Sequence, residues 1–330
     1  MSKTNTKKTN PLATVFIPTY NGEEYLEQLL TQVFDQINVT YEVLIIDSGS
    51  KDSTLDIIKR FPKVQLHQIP NSEFGHGKTR NLAARMAKGE FIVYLSQDAV
   101  PAHNRWLEFM IEPFYMSPGV AGVVGKQEPR PHCDATTKRE VKTVFSGLGP
   151  DHSIMFNRKY SFTTKLDTNL PVLTFYSDVN SAARVSFLMN EIPYQDVRYA
   201  EDQLFGKEIT DSKYLKAYTP YGWVWHSNEY KAVDYFRRKY DEFKAVHEVL
   251  GVLPVGGRKH RILGFTRNTL ADYRFILHDS DYSVAEKFKN LITSPVRNFG
   301  RERAAHIVLK SQGEPSALQE EYSLESRNKE

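Results

Sequence analysis

At 330 residues, 40% hydrophobic and 25% charged, the chain has material for one large core or for a core with an appendage. Its net charge of +3, from 43 basic and 40 acidic residues, is too small to argue for nucleic acid as a partner. One cysteine, Cys133, excludes an intrachain disulfide and fits a reducing compartment; no apolar run approaches the ~20 residues of a membrane span, and MSKTNTKKTN lacks the apolar stretch of a secretory signal, so the expected location is cytoplasmic.

Residues 1–11 read as a disordered polar leader. Residues 13–18 (ATVFIP) predict a strand, and 23–34 a helix with Leu26, Leu29, Leu30 and Val33 on one face. Residues 42–47 (EVLIID) predict a second strand, 54–61 a short helix and 64–69 a third strand. A glycine-bearing loop then opens a helix over 75–88, and 90–95 (EFIVYL) reads as a short buried parallel strand. A helix over 106–114 and a strand over 120–125 follow. The alternation predicts βαβ units, a mostly parallel sheet and helices on both faces. Residues 126–175 are poorly periodic and read as an irregular segment of lid or acceptor-loop character. From residue 231 the chain reads as helical, with Val233, Phe236, Tyr240, Phe243 and Leu250 as its apolar stripe and Arg237, Arg238, Lys239 and Lys244 beside it. Residues 313–330, rich in Glu and Ser, predict a disordered tail.

Four polar segments lie at predicted strand exits or loop starts: Ile17-Pro18-Thr19-Tyr20-Asn21, Asp47-Ser48-Gly49-Ser50-Lys51-Asp52, the stretch from Gly75 to Asp98, and Ala200-Glu201-Asp202-Gln203 with Val224-Trp225-His226. The carboxyl ends of parallel strands share an edge, so these groups are expected to converge on one cleft. Gly75 and Gly77 let backbone approach a bulky anion, to which Lys78 and Arg80 offer charge. Asp98, just past its strand, is placed to hold a divalent cation against a diphosphate, and equally to cap the next helix. Glu201-Asp202 also reads as a solvated helix start, His226 as a core histidine, and Asp47 as a turn former.

FIPTYNGEEYLEQLL, IIDSGSKDST, GKTRN with AKGEFIVYLSQDAVP, and AEDQLFGKEI together resemble, in order and spacing over residues 13–230, the family 2 glycosyltransferases. FGHGKTRN, YSDVNSAARVSF, YAEDQLF and VWHSNEY are similar to the bacterial rhamnosyltransferases within that family. The resemblance implies an α/β GT-A fold, a Rossmann-like mostly parallel sheet flanked by helices, over 12–230. A helical C-terminal extension over 231–312 is expected to serve oligomer or membrane contact. It also implies an inverting transferase that uses a nucleotide-sugar donor and magnesium or manganese.

Carried over by position, Pro18, Tyr20, Asn21, Asp47, His76, Arg80, Asn81 and Gln97 contact the donor. Asp98 and His226 serve the metal and Asp202 is the catalytic base, a role Glu201 could exchange with it; Glu201 otherwise belongs to the acceptor site, and Asp178 and Asn180 shape that site or cap strand ends. The family's Asp-x-Asp reads Ser96-Gln97-Asp98 here, so its first carboxylate is missing. The expected reaction moves L-rhamnose from dTDP-β-L-rhamnose to a saccharide or lipid-linked acceptor. A UDP-hexose donor, or a non-catalytic nucleotide-sugar-binding scaffold, are the alternatives. The basic clusters at 237–239 and 258–261 read as solvated faces or as peripheral contacts with the inner face of the plasma membrane.

Overall fold

The structure, a computed structural model, describes residues 10–158, 170–197, 199–251, 257–311 and 321–324. In chain order its elements are β1 (Ala13–Thr19), α1 (Leu26–Phe34), β2 (Tyr41–Asp47), α2 (Thr54–Lys59), β3 (Val64–Gln68), α3 (His76–Met86), β4 (Phe91–Leu95), β5 (Val100–Pro101), α4 (Trp106–Met116) and β6 (Val120–Glu128). They continue with α5 (Ala135–Leu148), β7 (Met155–Asn157), α6 (Leu170–Thr174), β8 (Asn180–Arg184), α7 (Val185–Asn190), α8 (Glu201–Asp211), β9 (Leu215–Trp225), α9 (Ala232–Leu250), α10 (Arg258–His278) and α11 (Val284–Lys310). Two compact units alternate along the chain. The first comprises Met1–Lys126, Gly149–Asp196 and Phe205–Val224, and the second Gln127–Leu148, Val197–Leu204 and Trp225–Glu330.

The first unit is built on one sheet, in the order β3-β2-β1-β4-β8-β6-β9-β5, with β7 paired to β9. β1 lies between two parallel neighbours, β2 and β4, and β3 continues the parallel run beyond β2. The apolar runs in β1, β2 and β4 are buried throughout, as expected for strands covered on both faces. β8 then runs antiparallel to β4 and to β6. Strand and helix therefore do not alternate throughout. β8 wedges between β4 and β6, which the order of the sequence alone would have made neighbours. Asn180 secures the insertion: its amide nitrogen donates to the Lys126 and Gly222 carbonyls, and its oxygen accepts the buried Trp106 indole N–H.

The second unit is largely helical. Its α5 occupies the stretch that the sequence reads as irregular. The apolar period is hidden there because the buried positions include Thr136 and Lys138 beside Ala135, Phe145 and Leu148. Lys138 is tolerated inside because its ammonium meets Asp279, Asp281 and the Pro131 carbonyl. Asp272 of α10 accepts from Thr136, Arg139, Ser294 and Asn298, tying α5, α10 and α11 together.

The stripe expected on α9 is centred differently: Tyr235, Tyr240 and Ala245 are buried while Val233 is exposed. Nor is the 237–239 cluster a free basic face. Lys239 pairs with Glu140 and Glu242, Arg238 with Glu242 and Arg237 with Asp234. Part of the expected disordered tail is packed. Tyr322 sits against Phe236 and Tyr240, and the Leu324 N–H donates to Asp241. The rest of that tail, and residues 1–9 of the leader, lie outside the described residues, as does the side chain of Arg258.

Glu140 is the electrostatic centre of this unit. Burial alone would raise its carboxyl, but Lys239, Arg301 and the Tyr235 hydroxyl outweigh burial and hold it at about 2. A carboxyl depressed in the folded state stabilises above its unfolded value of ~4.5 and loses that contribution as pH falls toward the folded value. The shift corresponds to a contribution of the order of 3 kcal/mol at neutral pH. Urea melts across a pH series should show the wild type weakening between about pH 4.5 and 2. Glu140→Gln should be less stable at pH 7 and lose less on acidification; parallel profiles for the two proteins would contradict the assignment.

Candidate functional site

The carboxyl ends of β2, β1 and β4 lie side by side because all three strands run parallel, with Thr19 in register with Asp47. This edge brings together Pro18, Tyr20, Asn21, Asp47, Gln97 and Asp98. Pro18 is half-buried, and Tyr20 and Asn21 are exposed. Asn21 has φ 48° and Gly49 φ 90°, so both strand-exit loops turn through the left-handed region. The loops interlock: the Asn21 N–H donates to Ser50 Oγ, the Lys51 N–H to Asn21 Oδ1, and the Gly22 N–H to Thr54 Oγ1. Asn21, Glu23, Glu24, Lys51 and Asp52 of these loops line a cavity of about 500 Å3.

Asp47 is buried, and its carboxylate accepts from Thr19 Oγ1, the Gly49 and Ser50 N–H groups and Ser50 Oγ. Four donors match the acceptor capacity of a carboxylate. In this structure Asp47 fixes the turn after β2 rather than presenting an oxygen to a nucleotide base. Gln97 is similarly occupied. Its oxygen accepts the Tyr20 N–H at 2.9 Å and its nitrogen donates to the Tyr20 carbonyl at 3.1 Å. The side chain thus extends a strand-like ladder from the β4 exit to the β1 exit. The fit is close at Gly22, where an added Cβ would meet the Gln97 side chain and force it to shift. Asp98 is half-buried in the tight turn between β4 and β5, closed by the Ala99 N–H donating to the Ser96 carbonyl.

α3 starts at His76 with Gly75 as its N-cap, and the His76 ring packs edge-on against Phe74. Gly77 does allow a close backbone approach, but to the chain itself: a Cβ there would lie 2.1 Å from the Gln195 carbonyl oxygen. Asn81 donates to the Tyr194 carbonyl and accepts the Tyr194 N–H, a second amide spent on backbone. Lys78 is exposed. Arg80 pairs through Nε with Asp178 at 2.7 Å, and the Asp178 side chain has no exposed surface. Asp178 also accepts from Ser181 and the Tyr194 hydroxyl. Burial first, and then the charge of Asp178, push the Tyr94, Tyr176 and Tyr194 hydroxyls well above the usual phenol value. The acceptor roles expected for Asp178 and Asn180 therefore give way to structural ones. Asp178 is the buried counter-ion of Arg80, and Asn180 staples strands.

In the second unit, Ala200 has φ 61°, a conformation that costs a residue with a Cβ on the order of 1–3 kcal/mol. It stands immediately before Glu201 and Asp202, which open α8. Glu201 is buried, while Asp202 is half-buried with Oδ1 accepting the Gln203 N–H at 2.7 Å. Asp202 and Glu242 reinforce burial, against Arg238, in pushing the Tyr199 hydroxyl upward, which places that ring in the field of Asp202. His226 is buried. Its Nδ1 lies 3.0 Å from Gln127 Oε1, and its N–H donates to the Glu128 carbonyl. Among the described residues no three His, Cys, Asp or Glu side chains form a group able to hold a metal ion.

Sequence reasoning assigned Asn81 and Gln97 to the donor and missed their backbone roles. An amide carries both a donor and an acceptor, so it suits a ligand and a strand edge equally.

Comparison with known proteins places this geometry. The sequence model of the family described as Glycosyl transferase family 2 matches residues 14–190. The chain is 28% identical over 233 residues to the O-antigen chain rhamnosyltransferase RfbN of Salmonella typhimurium, covering 69% of this chain and 70% of that protein. It is 30% identical over 237 residues to the O-antigen chain rhamnosyltransferase WbaN of Salmonella anatum, covering 70% and 71%. In fold it is similar to the mannosyltransferase PcManGT from Pyrobaculum calidifontis, solved in complex with GDP-Man and Mn2+. The TM-score is 0.58 at 17% identity, covering 92% of this chain and 87% of that one. The order of elements, the parallel edge and these likenesses agree: the chain belongs to glycosyl transferase family 2 and is a glycosyltransferase with the GT-A fold.

Proposed function

We propose that the enzyme transfers L-rhamnose from dTDP-β-L-rhamnose to a saccharide acceptor carried on a lipid, in the cytoplasm, during synthesis of a cell-surface polysaccharide. The observation that carries this reading is the similarity to two O-antigen chain rhamnosyltransferases over about 70% of each chain. The exposed Tyr20 and Asn21 beside half-buried Pro18 support a donor site there, with Lys78 and His76 near the start of α3 as further polar contacts. Arg80, anchored by Asp178, is offered as a preorganised cation for the diphosphate region.

Asp202 is the proposed base. Its carboxylate takes the proton from the acceptor hydroxyl as that oxygen attacks the anomeric carbon and the bond to dTDP breaks on the opposite face. The β-linked donor then gives an α-L-rhamnosyl product. A positioned base of this kind contributes about 10²–10⁴-fold. The strained backbone at Ala200 supports the role, because strain of this type gathers at working sites.

The side chains present fit a hard divalent cation shared with substrate. Asp98, in the turn after β4, would supply a carboxylate oxygen. Magnesium or manganese bound there would neutralise charge developing on the departing diphosphate. The PcManGT structure contains Mn2+ with GDP-Man, which supports a metal of this class.

Two measurements test the proposal. Asp202→Asn should bind dTDP-rhamnose with near wild-type affinity by calorimetry while transfer falls about 10²–10⁴-fold; turnover close to wild type would exclude Asp202 as the base. In a donor panel scored by nucleotide release with a lipid-linked acceptor, dTDP-rhamnose should be consumed well ahead of UDP-glucose and UDP-N-acetylglucosamine. Preference for a UDP-sugar would overturn the donor assignment.

A further inference from the structure

The outward face of the α10–α11 hairpin is unlike the rest of the surface. On α11, Val284, Phe288, Ile292, Val296 and Phe299 are all exposed, Val284 by 86% and Phe288 by 68%. Their spacing of four, four, four and three residues keeps them on one helical face. On α10, Leu263, Leu270 and Leu277 recur every seven residues, and each is at least 60% exposed. The two helices join through the short turn at 279–283, and Lys287 of α11 donates to the Leu277 carbonyl of α10, so the stripes meet at the hairpin tip.

The polar residues among these apolar ones are of one sign. The exposed ionisable positions are Lys259, Arg267 and Arg274 on α10 and Lys289, Arg303 and Lys310 on α11, with His260 and His278. Among the described residues no exposed position of either helix carries a carboxylate: Asp272 is buried, and Glu286 and Glu302 are half-buried. At the tip, Arg139, Lys142, Arg274, His278, Asp279 and Asp281 face a cavity of about 710 Å3. Among the described residues its two acids share Lys138 and its Arg139 meets Asp272, which leaves Lys142 and Arg274 as the cations that face an anion there.

We propose that this hairpin docks the enzyme on an anionic phospholipid bilayer. The apolar stripes enter the interface, and the tip cavity takes a headgroup phosphate. A second copy is a poor occupant, because pairing this face with itself sets cation against cation across an apolar seam. An anionic lipid surface supplies both the apolar phase and the opposite charge. Among the described residues no helix is long and apolar enough to cross a membrane, so the contact is interfacial. The basic cluster on α9 takes no part, since its charges are paired within the unit.

The test is co-sedimentation of the full-length protein, without donor or acceptor, on phosphatidylcholine vesicles with and without about one-third phosphatidylglycerol. Binding to the anionic vesicles should be at least about tenfold stronger than to neutral ones and should weaken as salt rises. Arg274→Glu and Phe288→Ser each change an exposed side chain. Each should reduce that binding by about fivefold or more, with thermal unfolding and transfer to a soluble acceptor unchanged. Equal binding to both vesicles, no binding at low salt, or full binding by both variants would overturn the proposal. So would a dimer in solution that Phe288→Ser dissolves while vesicle binding is absent. Because no sugar is transferred in the binding assay, its outcome is independent of the donor assignment.

Discussion

The parallel pairing of β1 with β2 on one side and β4 on the other is the constraint on which the candidate site depends. It places the exits of three strands on one edge, and everything polar that follows those exits inherits that position. The pairing is enforced by burial. Ala13, Val15, Phe16 and Ile17 of β1 and Phe91 through Leu95 of β4 are shut off from water, so no slip of register can bring a polar face outward at low cost. The chemistry is thereby delegated to loops, while apolar strands hold the loops in place.

Much of the polar equipment at that edge is turned on the protein itself. Asp47 saturates its oxygens with neighbouring donors, Gln97 and Asn81 each grip a backbone segment through both ends of an amide, and Asp178 lies sealed beneath Arg80. Each arrangement removes freedom from a group closer to the surface. Gln97 orients Tyr20, Asn81 orients the Tyr194 segment, and Asp178 orients Arg80. Preorganisation of this kind lowers the cost of ordering a site when its ligand arrives.

The sequence revealed the first half of the sheet well, because buried parallel strands are short apolar runs and nothing competes with that reading between residues 13 and 95. It failed where burial is polar. α5 was hidden because Lys138 and Thr136 face its interior, and β8 because its sequence, Asn180-Ser-Ala-Ala-Arg184, is small and partly polar. At the site, residue types were legible but their partners were not. Asp178 carries the same letter whether it meets solvent or an arginine, and only the folded chain brings Arg80 to it. The apolar stripes of α10 and α11 were not read from the sequence, because their exposure follows from which helix faces the unit uses for packing.

The ladder between Gln97 and Tyr20 bears on the altered acidic motif. The position flanked by Ser96 and Asp98 must give a proton to one carbonyl and receive one from the adjacent amide. Only a carboxamide of this length does both; an ionised acid would point like charge at the Tyr20 oxygen and prise the two strand exits apart. Replacing that amide by a carboxylate would therefore loosen the floor of the edge while leaving the neighbouring Asp98 in place.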